Sequence, residues 1–121
     1  MPKKRTPLEH QEEGTLSDVL DIARLFHFHI PNEHGPRIGR LLKMGYRPGA
    51  SDHFIGSPVP RKPKIRGVFI ELKREDGDEP TDNQKEFLAE AEVNGYFVIT
   101  AYGAEDAIAQ LTALGYDLRL A

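Results

Sequence analysis

The sequence predicts a single α/β domain in which a mixed β-sheet carries helices on both faces. Short apolar runs of strand length alternate along the chain with longer segments whose apolar residues recur at helical spacing. Turns rich in Gly and Pro separate these segments, and such alternation is typical of α/β domains. The 121 residues suffice for one domain over residues 1–121, and we expect the basic arm at residues 1–6 to be disordered.

The first half of the chain predicts a helix, a strand, a second helix and a second strand. Apolar residues at helical spacing predict the first helix over residues 7–24, and aromatic residues alternating with histidine predict a strand over residues 26–30. Residues 35–44 predict a short amphipathic helix with a basic side. Turn residues then lead to an apolar run at residues 52–55, which Asp52 opens.

The second half predicts a buried strand, two helices and further strands. The β-branched and aromatic residues of the stretch 67–73 indicate the buried strand, and Thr81 is typical of the residue that caps the start of a helix. Asn94 and Gly95 indicate where that helix ends. The remaining predictions are a strand at residues 96–100, a helix at residues 105–114 and a short edge strand at residues 117–120.

Two charged residues interrupt the end of the buried strand. Glu71 and Lys73 lie two positions apart, so they share one face of the strand while Leu72 points to the other. Charged groups at the end of an apolar strand are costly unless they are paired or bound to something. Asp52 supplies a second carboxylate at the neighbouring predicted strand. An aspartate on one strand and a Glu-x-Lys on the next is the arrangement that a metal-dependent nuclease needs.

Hydrolysis of a phosphodiester requires neutralised phosphate charge, an activated water and help for the leaving oxygen. Asp52 and Glu71 offer the hard oxygen ligands that Mg²⁺ or Mn²⁺ prefers, and the main-chain carbonyl of Leu72 is a natural third ligand. Lys73 is placed to orient or deprotonate the attacking water, or to stabilise developing charge. Gln84, in the first turn of the next helix, offers an amide for a water or a phosphate.

The charge distribution points to an anionic partner. The net charge is −3, but residues 37–74 hold ten basic residues against two acidic ones, which makes +8. A basic segment around two isolated carboxylates suggests a nucleic acid that meets a metal site, although a solvated surface balanced by acidic neighbours is about as common. The candidate DNA-binding residues are Arg37, Arg40, Lys43, Arg61, Lys62 and Lys64.

Composition excludes some classes of site. The chain has no cysteine, so a disulfide or a thiolate metal site is impossible. No apolar run approaches the length that spans a membrane, and no signal peptide follows the basic start. The expected location is therefore the cytoplasm.

Several motifs together resemble the VRR-NUC nucleases of the PD-(D/E)xK, or restriction-endonuclease-like, superfamily. The matching stretches are Pro31-Asn32, residues 42–52, residues 69–73, residues 81–84 and residues 95–98. The resemblance implies a restriction-endonuclease-like core, metal ligation by Asp52 and Glu71, a catalytic Lys73 and a functional Gln84.

The same resemblance implies a metal-binding glutamate in the first helix. Glu9 fits that place, but the family usually has glutamine four residues later, where this chain has Glu13, so Glu12 remains an alternative. The residue before the metal aspartate is Ser51 here instead of proline.

The leading hypothesis is a Mg²⁺- or Mn²⁺-dependent DNA endonuclease. Free-standing members of the family of this size resemble bacterial or phage proteins, so the resemblance implies a bacterial or phage-infected host cell. It also implies a homodimer that cuts branched DNA in the manner of a Holliday-junction resolvase. One alternative is a nickase or exonuclease acting on flaps or DNA ends, and another is a DNA-binding module without catalysis. A third is a protein that binds metal through His27, His29 and His34, although histidines on the polar face of a strand more often face water.

Overall fold

The computed structural model of the protein describes residues 7–31, 38–45 and 47–119. Within these residues, four helices and one four-stranded sheet follow the predicted order. The helices are α1 (Glu9–Ile22), α2 (Ile38–Lys43), α3 (Asp82–Val93) and α4 (Ala104–Ala113). The strands are β1 (His27–His29), β2 (His53–Ile55), β3 (Val68–Lys73) and β4 (Phe97–Tyr102).

The sheet is mixed, as predicted, and its spatial order is β1-β2-β3-β4. The β1/β2 and β2/β3 pairs are antiparallel, whereas β3 and β4 are parallel. A parallel pair needs a crossover connection, which α3 provides. The predicted α/β class is confirmed.

The two faces of the sheet carry different helices. Ile70 and Leu72 of β3 belong to one apolar core with Leu16 and Leu20 of α1, and Leu111 of α4 joins them there. The residues of β3 that alternate with these face the other way. On that face, the ring of Phe69 packs edge-on against Phe87 of α3 at a centroid distance of 5.1 Å. The sheet therefore separates an α1/α4 face from an α3 face.

The start of α3 is fixed by a reciprocal capping arrangement. The Gln84 backbone N–H donates to the Thr81 hydroxyl at 3.3 Å, and the Thr81 N–H donates to Gln84 Oε1 at 2.8 Å. The two hydrogen bonds satisfy two of the donors that a helix start leaves unpaired. The cap predicted at Thr81 is confirmed, and it holds the Gln84 side chain beside the end of β3.

The predicted edge strand at residues 117–120 is wrong for the part of it that is described. Residues 117–119 follow α4 without strand pairing, and residue 120 lies outside the described residues. Tyr116 is buried, and its hydroxyl donates to the Ser57 carbonyl at 2.9 Å. Leu118 packs against the core. The apolar alternation that suggested a strand therefore reflects packing of the chain end onto the core.

Candidate active site

Asp52 and Glu71 are brought side by side by the antiparallel pairing of β2 and β3. His53 lies opposite Ile70 in this register, and the Asp52 N–H continues the pairing by donating to the Ile70 carbonyl at 3.0 Å. The Leu72 N–H donates to Asp52 Oδ2 at 2.7 Å, which fixes the carboxylate. Adjacent strands therefore hold the two carboxylates, as the sequence predicts.

The turn before Asp52 packs closely against the start of α3. Gly49 has a φ of 81°, and a Cβ there would lie 2.5 Å from the backbone carbon of Asn83. Only glycine fits both the positive φ and the close approach. Ser51 is fully buried, and its hydroxyl has no hydrogen-bond partner among the described residues.

The two carboxyl groups share a buried environment that disfavours two negative charges. Burial, and then the charge of Asp52, raise the pKa of Glu71 to about 8, while the nearby Lys73 opposes that rise. Burial also raises the pKa of Asp52, the Leu72 N–H opposes the rise, and the charges of Glu9 and Glu13 add to it. Without a cation, the pair therefore retains a proton near neutral pH.

Lys73 is held on the α3 side of this pair. Its Nζ lies 3.6 Å from Glu71 Oε1 and donates to Gln84 Oε1 at 2.9 Å. Lys73 is largely buried, so its ammonium group keeps a fixed position. Gln84 uses the same oxygen for the cap of α3 and for Lys73, so in this structure it positions the lysine.

The oxygen atoms at this end of the sheet fit a divalent metal ion. Glu71 Oε2 is buried and has no hydrogen-bond partner among the described residues. A buried carboxylate oxygen without a donor is costly unless a cation meets it. Asp52 and Leu72 line a cavity of about 490 Å³ that α1 closes with Glu9 and Glu13. Carboxylate and carbonyl oxygens are the ligands that Mg²⁺ takes, usually with several waters retained.

The glutamates of α1 point to different surroundings. Glu9 lines the cavity, and its charge acts on Asp52. Glu12 is buried instead against the start of α4, where the Ala104 N–H donates to its Oε2 at 2.6 Å. Gly103, with a φ of 96°, leaves room for that carboxylate, because a Cβ there would lie 2.6 Å from Glu12 Oε2. The geometry favours Glu9 over Glu12 as the first-helix metal ligand.

A cluster of Glu13, His29 and His53 lies beside this site, and the sequence reasoning did not find it. One donor atom from each residue comes within 4.8 Å of the other two. The sequence hypothesis grouped His29 with His27 and His34, but His34 lies outside the described residues. His29 lies opposite His53 in the β1/β2 register. The alternating histidines of β1 indicated a candidate metal site in the sequence. Which residue joins His29 there depends on the β1/β2 register, which places His53 opposite it.

The predicted DNA-binding residues fall into two groups. Arg40 and Lys43 are exposed on α2, which residues 44–51 connect to Asp52. Arg37 lies outside the described residues. The other group is exposed in the β2–β3 loop, at the opposite end of β3 from Lys73, roughly 17 Å away at the usual rise of a strand. That group consists of Arg61, Lys62 and Lys64.

The structure does not bring the loop residues together with the carboxylates. Arg61 donates to the Ala113 carbonyl at 3.3 Å, and Lys62 Nζ lies 6.0 Å from the ring centroid of Phe97. These interactions tie the two residues to the body of the domain.

A solved structure described as a VRR_NUC domain protein superposes on this chain with a TM-score of 0.71. The match covers 97% of this chain and 100% of the other, at 19% sequence identity. The chain has the VRR-NUC fold. No protein-family model and no curated protein sequence matches the chain. The fold therefore confirms the resemblance seen in the motifs. None of the described helices is long and apolar enough to span a membrane.

Proposed function

We propose that the protein is a metal-dependent endonuclease that hydrolyses phosphodiester bonds in branched DNA. The observation that carries this proposal is the convergence of Asp52, Glu71 and Lys73 at one end of the sheet, with a buried carboxylate oxygen that lacks a donor. Loss of any of the three would be expected in a module that only binds DNA, yet all three are present and in mutual reach. The VRR-NUC fold supports the same class of chemistry.

The proposed ligands of the ion are Asp52, Glu71 and the Leu72 carbonyl, with Glu9 reaching from α1 into the cavity that Asp52 and Leu72 line. When bound, Mg²⁺ or Mn²⁺ would neutralise charge on the phosphate and lower the pKa of a bound water. Asp52 is held for this purpose by the Leu72 N–H. A bound ion would displace the proton that the carboxyl pair otherwise shares, so the ion and the proton would compete for this site.

Lys73 is proposed to orient the attacking water and to stabilise negative charge in the transition state. Its ammonium group lies beside Glu71, and Gln84 prevents it from turning away. A preorganised charge of this kind acts most strongly on the transition state, where charge develops.

The basic side of α2 is the proposed contact with the DNA backbone. Arg40 and Lys43 are exposed, and α2 packs against no other described helix or strand. Residues 44–51 connect α2 to Asp52, so the two belong to one continuous segment of the chain. The proposed homodimer would place two such sites about a twofold axis, which suits a symmetric four-way junction.

The test is incubation of the purified protein with linear, flap, fork and four-way DNA in Mg²⁺, Mn²⁺ or EDTA. We expect metal-dependent cutting that is strongest on branched DNA and that Asp52→Asn abolishes. Asp117→Asn is the matched control, because Asp117 is exposed on the segment after α4. Cutting in EDTA, or cutting by Asp52→Asn at the wild-type rate, would refute the proposal.

The same panel separates the alternatives. Preferred degradation from flaps or ends would indicate a nickase or an exonuclease. Tight binding to every substrate without cutting in either metal would indicate a module that only binds DNA.

A further inference from the structure

The cluster of Glu13, His29 and His53 joins three separate elements on the α1/α4 face of the sheet. Glu13 comes from α1, His29 from β1 and His53 from β2. His29 Nδ1 lies 3.3 Å from Glu13 Oε1, and His53 Nδ1 contacts the same oxygen. The His53 side chain is fully buried, whereas His29 remains about half exposed. The three donor atoms therefore converge on one point that is open on one side.

A second layer of hydrogen bonds orients His53. Its Nε2 lies 2.8 Å from His27 Nδ1, and His27 Nε2 lies 2.6 Å from Asp21 Oδ1. The two imidazole rings are stacked, with centroids 5.0 Å apart. Histidines that bind metal almost always use their other ring nitrogen in such an interaction, which fixes the ring and its tautomer.

The donor and acceptor roles along this chain of contacts depend on the tautomer of each histidine. In every tautomer, His53 presents Nδ1 to a carboxylate oxygen of Glu13, so a ring nitrogen and a carboxylate oxygen from different elements meet at one point. Both are ligand atoms that a transition-metal ion accepts.

A second observation points to the same place. Glu13 Oε2 is buried and has no hydrogen-bond partner among the described residues. A metal ion bound by this carboxylate would satisfy both of its oxygens. A proton shared with His53 would leave Oε2 as it is.

We propose that Glu13, His29 and His53 form a binding site for a divalent transition-metal ion of the Zn²⁺ class. Two imidazoles and one carboxylate form a recurrent Zn²⁺ ligand set, which leaves a fourth position free. Imidazole nitrogen suits Zn²⁺, whereas Mg²⁺ prefers oxygen ligands. The bound ion ties α1 to β1 and β2.

This site is distinct from the carboxylate site of the proposed nuclease. His53 lies opposite Ile70 and contacts Glu13 of α1, whereas Asp52, one residue earlier, is held beside Glu71 by the Leu72 N–H. The two sites adjoin at the cavity, which Glu13 and His29 line together with Asp52.

The experiment measures metal binding to the full chain without DNA. The protein is freed of metal with a chelator and titrated with Zn²⁺ by calorimetry, then with Co²⁺, whose visible absorption reports the ligands. Both titrations are repeated in excess Mg²⁺. We expect saturable binding of one ion per chain that Mg²⁺ does not displace. Saturable binding should be lost in Glu13→Gln and in His29→Ala.

Matched variants locate the ion. His10→Ala, which removes a histidine lining the same cavity, and Asp52→Asn should both bind as the wild type does. His27→Ala should weaken binding about 10–100-fold, the usual loss when the partner of a ligating histidine is removed. Circular dichroism tests whether each variant is folded. His29→Ala should disturb the fold least, because His29 is about half exposed.

Three results would overturn the proposal. The first is that the wild type binds neither Zn²⁺ nor Co²⁺. The second is that the folded His29→Ala and Glu13→Gln variants bind as the wild type does. The third is that Asp52→Asn no longer binds the ion. The last would show that the ion occupies the carboxylate site. Because no DNA is present, a failure of the proposed nuclease activity would not affect the outcome.

Discussion

The most consequential single residue is Glu71, whose side chain is buried on a strand beside a second carboxylate. Its pKa of about 8 shows that the folded protein resists the charged form, because burial and the Asp52 charge both oppose ionisation. Such a residue destabilises the fold unless a proton or a cation accompanies it. In the proposed metal site, a bound cation would offset this destabilisation.

The pH dependence of stability should reveal this destabilisation. The pKa of Glu71 is higher in the folded state than its ordinary value, so between the two the folded state binds more protons than the unfolded state. Stability of the metal-free protein should therefore fall as pH rises from about 5 to about 9. Thermal unfolding in a chelator measures this, with Glu71→Gln expected to flatten the profile and Mg²⁺ to reduce the fall. An identical profile for Glu71→Gln would contradict the assignment.

Removal of Lys73 should affect turnover and not binding. Removing one preorganised electrostatic interaction typically lowers the rate about 10²–10³-fold. Single-turnover cleavage by Lys73→Ala, with a DNA titration in Ca²⁺, separates the two effects. Lys85→Ala is the control, since Lys85 is exposed on α3 next to Gln84. A collapse of affinity at an unchanged rate would show that Lys73 is a DNA-binding residue.

Ser51 has a buried hydroxyl without a partner among the described residues, so its removal should stabilise the protein. A desolvated polar group left unpaired costs about 1–3 kcal/mol, and Ser51→Ala should recover part of this cost. Urea denaturation measures the change. Ser57→Ala is the matched control and should destabilise, because the Ser57 hydroxyl accepts the Phe26 N–H at 2.7 Å. A less stable Ser51→Ala would mean that the hydroxyl is satisfied.

Among the elements, α1 combines three interactions within two turns. Successive residues of a helix point about 100° apart, so neighbouring glutamates reach different surroundings. Glu9 faces the cavity, Glu12 meets the start of α4 and Glu13 meets the histidines of β1 and β2. One helix therefore links the candidate active site, the second metal site and the core.

Glu12→Ala should lower the free energy of unfolding and leave the cleavage rate of the folded protein unchanged. It removes a charged acceptor from the Ala104 N–H, a hydrogen bond of a kind worth about 1.5–3 kcal/mol. Glu105→Ala, which replaces an exposed acid in the first turn of α4, is the control and should have little effect. Urea denaturation is compared with single-turnover cleavage. A stable but inactive Glu12→Ala would favour Glu12 as the metal ligand over Glu9.

At the scale of the whole molecule, the basic middle of the sequence is divided between α2 and the β2–β3 hairpin. The hairpin carries Arg61, Lys62 and Lys64 at the opposite end of β3 from Lys73. Arg40 and Lys43 lie on α2, which packs against no other described helix or strand.

The salt dependence of DNA binding should distinguish these surfaces. Removal of one side chain that binds a phosphate should lower the salt slope by about 0.9 for duplex DNA. We expect Arg40→Ala and Lys43→Ala each to lower the salt slope by this full amount. Substitution of the loop residues should lower the salt slope less, because Arg61 and Lys62 already contact the domain. Affinity measured at several salt concentrations tests this. Equal reductions of the salt slope by the α2 variants and the loop variants would show that the DNA contacts both α2 and the β2–β3 hairpin.

Local patterns in the sequence determined the elements and their order. Period-two alternation, helical spacing and the Thr81 and Gly95 caps depend on neighbours within a few residues, so the described helices and strands agree with them. The pairing of Asp52 with Glu71 and Lys73 was also predictable, because strand ends and the family motifs both indicated it.

Only the tertiary structure decided which distant side chains meet. The pairing of His29 with His53 follows from the β1/β2 register, and Glu13 reaches them from a helix 40 residues earlier than His53. The separation of Glu9 from Glu12, and of the loop basic residues from Lys73, likewise depends on how α1 packs and where the hairpin ends. A shift of one residue in register would exchange the two faces of a strand. Such interactions therefore arise from packing over the whole chain, which no local pattern specifies.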